Sequence, residues 1–216
     1  MSGMFDEYVS LGSDCEVGFQ FRRILGRDSS SFFSWNVTGI AALEQLLASR
    51  FEGVLQEANI AAHADGSMLL DAGYGYKFHS PFRGYDFRAD PDYDARWADH
   101  REKAGYLLGK FLRDRPAGHR TAYFYKIEPE EQLAEIRRLL PSVRARLLDI
   151  HGPSHFDLVV VLPQDRAEPA WAEERIHNRY VRRFAPWDDA TDGHVSSWDR
   201  IFREFPHKEP MFLSGY

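Results

Sequence analysis

Cys15 is the single cysteine among 216 residues, and its surroundings follow the pattern that activates a thiol. Tyr8-Val9-Ser10-Leu11 reads as a short apolar strand, Gly12-Ser13-Asp14 as a turn, and a helix starts at the cysteine. Unpaired N–H groups and the positive end of the dipole at a helix N-terminus favour thiolate over thiol. A cysteine nucleophile needs a base within hydrogen-bond reach, usually histidine, and commonly a third polar group that orients the imidazole. The competing reading is packing, because free cysteine is among the most buried residue types.

Nine histidines compete for the role of base. His63, His100, His119, His151, His177 and His207 lie in polar or terminal contexts that add nothing. His155 precedes a buried strand at its N-terminal end, whereas ligand sites of parallel sheets favour the C-terminal edge. His79 follows the aromatic run Tyr74 to Phe78 and precedes Ser80-Pro81, so its ring is expected to project from a strand end into a cleft. The chemistry expected is attack by Cys15 on an amide or ester carbonyl, with His79 taking the proton and returning it to the leaving group. Backbone N–H groups around Ser13, Asp14 and Glu16 would receive the oxyanion. Asp71 or Asn36 would orient the ring, and Trp35 and Tyr76 would line an acyl groove.

Two rival readings stay open. Asp192 and His194 near the C-terminus resemble the Asp-x-x-His element of SGNH-type serine hydrolases, with Ser13 as the nucleophile of an esterase. The match departs in two places: one residue rather than two separates the acid from the histidine, and Ser13 lacks the Gly-Asp-Ser order. The other rival is a non-catalytic, glycan-linked binding module in which Cys15 is packed and aromatic loops hold a ligand.

These groups need a scaffold, and the chain alternates strand and helix signals. Residues 17–25 suit a helix ended by Gly26, and Thr38 caps a helix carrying Ile40, Leu43, Leu46 and Leu47. Met68 to Leu70 and Gly75 to Phe78 read as a hairpin, followed by a long polar helix over 92–113. Then come a strand over 121–127, a helix over 129–148 interrupted or kinked near Pro141, and a strand over 156–162. The run Leu158-Val159-Val160-Val161-Leu162 lacks polar alternation, as a strand covered on both faces does. A short acidic helix over 169–174, a strand over 179–184 and a final helix over 196–205 complete the series. The expected fold class is α/β, a single domain over 1–216 with a mainly parallel sheet flanked by helices.

Composition bounds the function. A net charge of -6 spread along the chain argues against a nucleic-acid or anionic-membrane surface. No apolar run approaches the ~20 residues that cross a bilayer. One cysteine makes no internal disulfide and no secretory signal is evident, so a cytoplasmic setting is expected. With no second cysteine and no glycine-rich phosphate loop, neither structural zinc nor a nucleotide cofactor is expected.

The segment Ser10-Leu11-Gly12-Ser13-Asp14-Cys15-Glu16-Val17-Gly18-Phe19-Gln20-Phe21-Arg22-Arg23, followed by Ser31-Phe32-Phe33-Ser34-Trp35-Asn36-Val37, resembles a bacterial domain family of unknown function described as papain-like cysteine peptidases. That family opens with a Ser-Leu-Gly-Ser-x-Cys strand and turn, an arginine-bearing helix and a Pro-Phe-Asp-Trp type motif. Tyr74-Gly75-Tyr76-Lys77-Phe78-His79 looks like its Tyr-Gly-x-x-Phe-x-His segment. The resemblance covers the first eighty or so positions and implies a Cys-His pair serving peptidase, amidase, deamidase or acyltransferase chemistry. Ser34 and Ser80 stand where the family often has aspartate, which removes two acids that would orient the imidazole.

Overall fold

Strands and helices alternate in the structure as they do in the sequence pattern. The computed structural model describes residues 3–63, 66–84, 86–152 and 155–214. It runs β1 (Glu7–Ser10), α1 (Glu16–Leu25), β2 (Asn36–Val37), α2 (Ile40–Ala48), β3 (Ile60–Ala62), β4 (Met68–Asp71), β5 (Tyr76–His79), α3 (Tyr93–Leu112), β6 (Arg120–Lys126), α4 (Leu133–His151), β7 (His155–Pro163), β8 (Ile176–Val181) and α5 (Val195–Glu204).

Two sheets share the work. β1, β6, β7 and β8 form a wholly parallel sheet in that order, with α4 as the crossover between β6 and β7. Side chains alternate across it. Tyr8, Phe124, Val159, Val161 and Val181 pack against α1 and α5 through Val17, Phe21, Trp198, Ile201 and Phe202. Val9, Tyr123, Tyr125, Leu158 and Val160 face α2 and α4 on the other side. Cover on both faces explains why β7 reads as continuous hydrocarbon. The second sheet is antiparallel in the order β2-β5-β4-β3, so the expected hairpin of β4 and β5 gains a strand on each edge.

Three expectations need correcting. Pro141 lies inside α4 without interrupting it, because the stripe Ile136, Leu140, Val143, Leu147 and Ile150 is buried against the sheet on both sides of the proline. The acidic helix over 169–174 does not form. Asn178 holds that segment instead, accepting from Trp171 N at 3.0 Å and donating from Nδ2 to the Pro169 carbonyl at 3.0 Å. The following strand starts earlier than its pattern suggests, at Ile176, which pairs with Leu158. Among the described residues no helix is long and apolar enough to cross a membrane.

Candidate active site

The turn that carries Cys15 leaves the C-terminal end of β1, the edge of a parallel sheet where ligand sites occur. A chain of backbone hydrogen bonds fixes it. Lys126 N donates to the Gly12 carbonyl at 3.0 Å, Ser13 N donates to the Lys126 carbonyl at 2.9 Å, and Thr38 N donates to the Ser13 carbonyl at 2.9 Å. The last bond ties the parallel sheet to the second one, because Asn36 and Val37 of β2 pair with Phe78 and Lys77 of β5. Gly12 has φ of +113°, and a Cβ there would sit 2.9 Å from the Thr38 carbonyl oxygen, so only glycine permits this approach.

Below the turn lies a charge network that the sequence did not reveal. Lys126 is 2% exposed, and its ammonium bonds the carboxylates of Asp14 and, at 2.9 Å, Glu16. Glu16 is fully buried and accepts further bonds from Trp198 Nε1 at 2.7 Å and Ala185 N at 2.9 Å. Three donors, one of them a cation, satisfy a carboxylate that burial would otherwise penalise heavily. Through Glu16 the network joins the cysteine turn, α5 and the loop after β8. Gly193 passes so close to the Glu16 carboxylate that a Cβ there would strike it.

The structure brings Cys15 and His79 together. Cys15 Sγ lies 3.6 Å from His79 Nε2, although 64 residues and two sheets separate them. Both line a cleft of about 370 Å³, walled by Phe19 and Trp35 on one side and residues 185–191 on the other. Trp35 is fixed by a bond from Nε1 to Ser30 Oγ at 2.8 Å and by edge contact with Phe19 at 5.2 Å. Trp187, 62% exposed, stands on the facing wall.

The electrostatics of Cys15 differ from the helix-terminus expectation. Burial pushes its thiol up to about 11, the Asp14 carboxylate acts in the same direction, and the Lys126 ammonium opposes both. The resting group is therefore the thiol, which donates to Nε2 when the ring carries its proton on Nδ1. The oxyanion donors also narrow. Ser13 N is spent on Lys126, and Glu16 N donates to Asp14 Oδ1 at 2.9 Å. The N–H groups of Asp14 and Cys15 have no partner among the described residues.

Neither expected orienting group reaches the imidazole. Asp71 pairs with Tyr76 while His79 pairs with Met68, at opposite ends of the β4–β5 ladder. Three strand residues put ~10 Å between them. Asp71 instead accepts from Leu55 N at 2.9 Å and Gly73 N at 3.0 Å, holding two turns. Asn36 donates from Nδ2 to the Phe32 carbonyl at 2.8 Å. Tyr76 is 1% exposed and floors a neighbouring cavity rather than the cleft.

The serine alternative is not assembled. Ser13 is 1% exposed and its Oγ has no partner among the described residues. Asp192 is engaged by Arg183 at 3.1 Å, and His194 Nδ1 by Ser197 Oγ at 2.8 Å. Among the described residues no three His, Cys, Asp or Glu side chains are grouped to hold a metal ion. Comparison with protein-family models, curated proteins and solved structures finds no match for this chain.

Proposed function

We propose that the protein is a thiol-dependent hydrolase or acyltransferase acting on an amide or ester carbonyl. The observation that carries this reading is the 3.6 Å contact of Cys15 Sγ with His79 Nε2 at the wall of an open cleft. The thiol is neutral at rest, so His79 works as a general base during attack rather than as half of a preformed ion pair. The Cys15 S–H proton passes to Nε2 as sulfur bonds the carbonyl carbon. The N–H groups of Asp14 and Cys15 face the developing oxyanion. Collapse expels the amine or alcohol, which leaves with the proton from His79, and a thioester stays on Cys15. Water or an amine then takes the acyl group by the reverse sequence. Two of the three segments that resemble the papain-like family bear this pair, which supports the same reading.

The test is acylation by 4-nitrophenyl acetate. The expected result is a burst of nitrophenolate with the acetyl group found on Cys15 by peptide mass spectrometry, absent in Cys15→Ala. General-base assistance is worth 10²–10⁴ in rate, so His79→Gln should slow the burst roughly 100-fold. Acetylation elsewhere, or an unchanged rate in His79→Gln, overturns the reading and leaves a cleft in which Cys15 is only packed.

A further inference from the structure

Beside the reactive cleft lies a second cavity of about 200 Å³ that shares Trp35 and His79 with it. Phe32, Leu55, Tyr76, Phe78 and Leu107 make most of its lining, so its surface is mainly carbon. A hydrocarbon cavity of ~150 Å³ takes up benzene, and this one is large enough for a six-membered ring bearing one substituent. His100 closes one side, stacked on Phe78 at 4.7 Å and on Trp97 at 5.7 Å. Burial pushes its imidazole down to about 4, so this wall is uncharged near neutrality.

Polar groups interrupt the hydrocarbon at Asn36, His79, His100, Lys103 and Tyr76, whose buried hydroxyl has no partner among the described residues. Asn36 is 9% exposed and lines the cavity. Its Nδ2 donates to the Phe32 carbonyl at 2.8 Å, and that bond settles which way the amide is turned, since a carbonyl only accepts. Oδ1 is left as an acceptor with no partner among the described residues. A phenyl group would leave this oxygen bare. A hydroxyl on the ring satisfies it.

We propose that this cavity is a side-chain pocket for an aromatic ring carrying a hydrogen-bond donor, a phenol whose hydroxyl donates to Asn36 Oδ1. Its placement next to the reacting carbonyl rests on the Cys15–His79 reading, whereas its ligand chemistry can be measured without turnover. Position fits that role: Trp35 and His79 line both spaces, so a substrate chain crossing Cys15 can deliver a neighbouring side chain past them into the pocket.

The experiment titrates the ¹⁵N-labelled full chain with 4-methylphenol and with toluene. The expected result is saturable shifts at the Asn36 side-chain amide and the Ala104 backbone amide, with 4-methylphenol bound about tenfold more tightly than toluene, the step one buried hydrogen bond supplies. Asn36→Leu should bring the two ligands to equal affinity. Ala104→Phe, which fills the cavity from α3, should abolish both and serves if the Asn36 variant does not fold. Equal affinities in the unaltered chain, no saturable shift at these amides, or unchanged binding in Ala104→Phe overturns the proposal. The two readings fail separately: phenol binding without acylation of Cys15 removes the reaction and keeps the pocket, and acylation without phenol binding does the reverse.

Discussion

Cys15 is held in its neutral form by its setting, and this has a measurable signature. Raising the thiol to about 11 leaves ~10⁻⁴ of it ionised at pH 7. Alkylation of the native protein by chloroacetamide should therefore be slow at pH 7 and rise about tenfold per pH unit to pH 9.5, instead of levelling off near 8.5. Asp14→Asn should speed alkylation at pH 8 on two counts: it removes the carboxylate that repels the thiolate and leaves Lys126 with one anionic partner, Glu16, in place of two. A flat profile, or a slower Asp14→Asn protein, would contradict the electrostatic account of the turn. The identity of the pair was legible, because a Gly-Ser-Asp-Cys turn after a strand and a histidine ending an aromatic strand are both local signals. The state of the thiol was not. It depends on Asp14 and Lys126, and Lys126 is 112 residues from Asp14 in the chain.

Elements place these side chains, and the join between them rests on Lys126. At the end of β6 it supplies the single cation to two carboxylates, one of them fully buried. Lys126→Met would leave Glu16 uncompensated, a loss of ~3–5 kcal/mol for a broken buried pair. The urea midpoint should fall accordingly, and adding Glu16→Gln should recover part of it, since the amide keeps its shape without charge. Sequence periodicity revealed the strand and helix order well, including the doubly covered β7. It failed where a single side chain overrides local preference: Asn178 unwinds the segment over 169–174 by taking its backbone bonds. It failed again at Asp71, where alternation identified the strand but not the register, and a register offset alone decides which end of the ladder a carboxylate occupies.

At the scale of the whole molecule, acid should unfold this protein through its buried imidazoles. His100 is held down to about 4 and His151 to about 3, in both cases chiefly by burial, with Lys103 and Arg115 respectively adding repulsion. A histidine whose folded value lies below its unfolded ~6.5 contributes stability that is complete above 6.5 and is lost as pH falls towards the folded value, because the unfolded chain binds the extra proton. The two together are worth a few kcal/mol. The melting temperature should be level above pH 7 and drop steadily between pH 6.5 and 4, less steeply in His100→Phe, which keeps the ring stack on Phe78. A melting temperature independent of pH across that window would contradict neutral buried rings.

Cys15 and His79, the pair of the proposed reaction, both lie before residue 80, yet the turn that carries the sulfur is closed by backbone and side-chain bonds from Lys126. A nascent chain that has emerged from the ribosome only as far as β5 thus carries both side chains without the Lys126 bonds that close the Cys15 turn. On the proposed reading, the pair is therefore set only once the second half of the chain has been made, and a product truncated before β6 should not be acylated at Cys15.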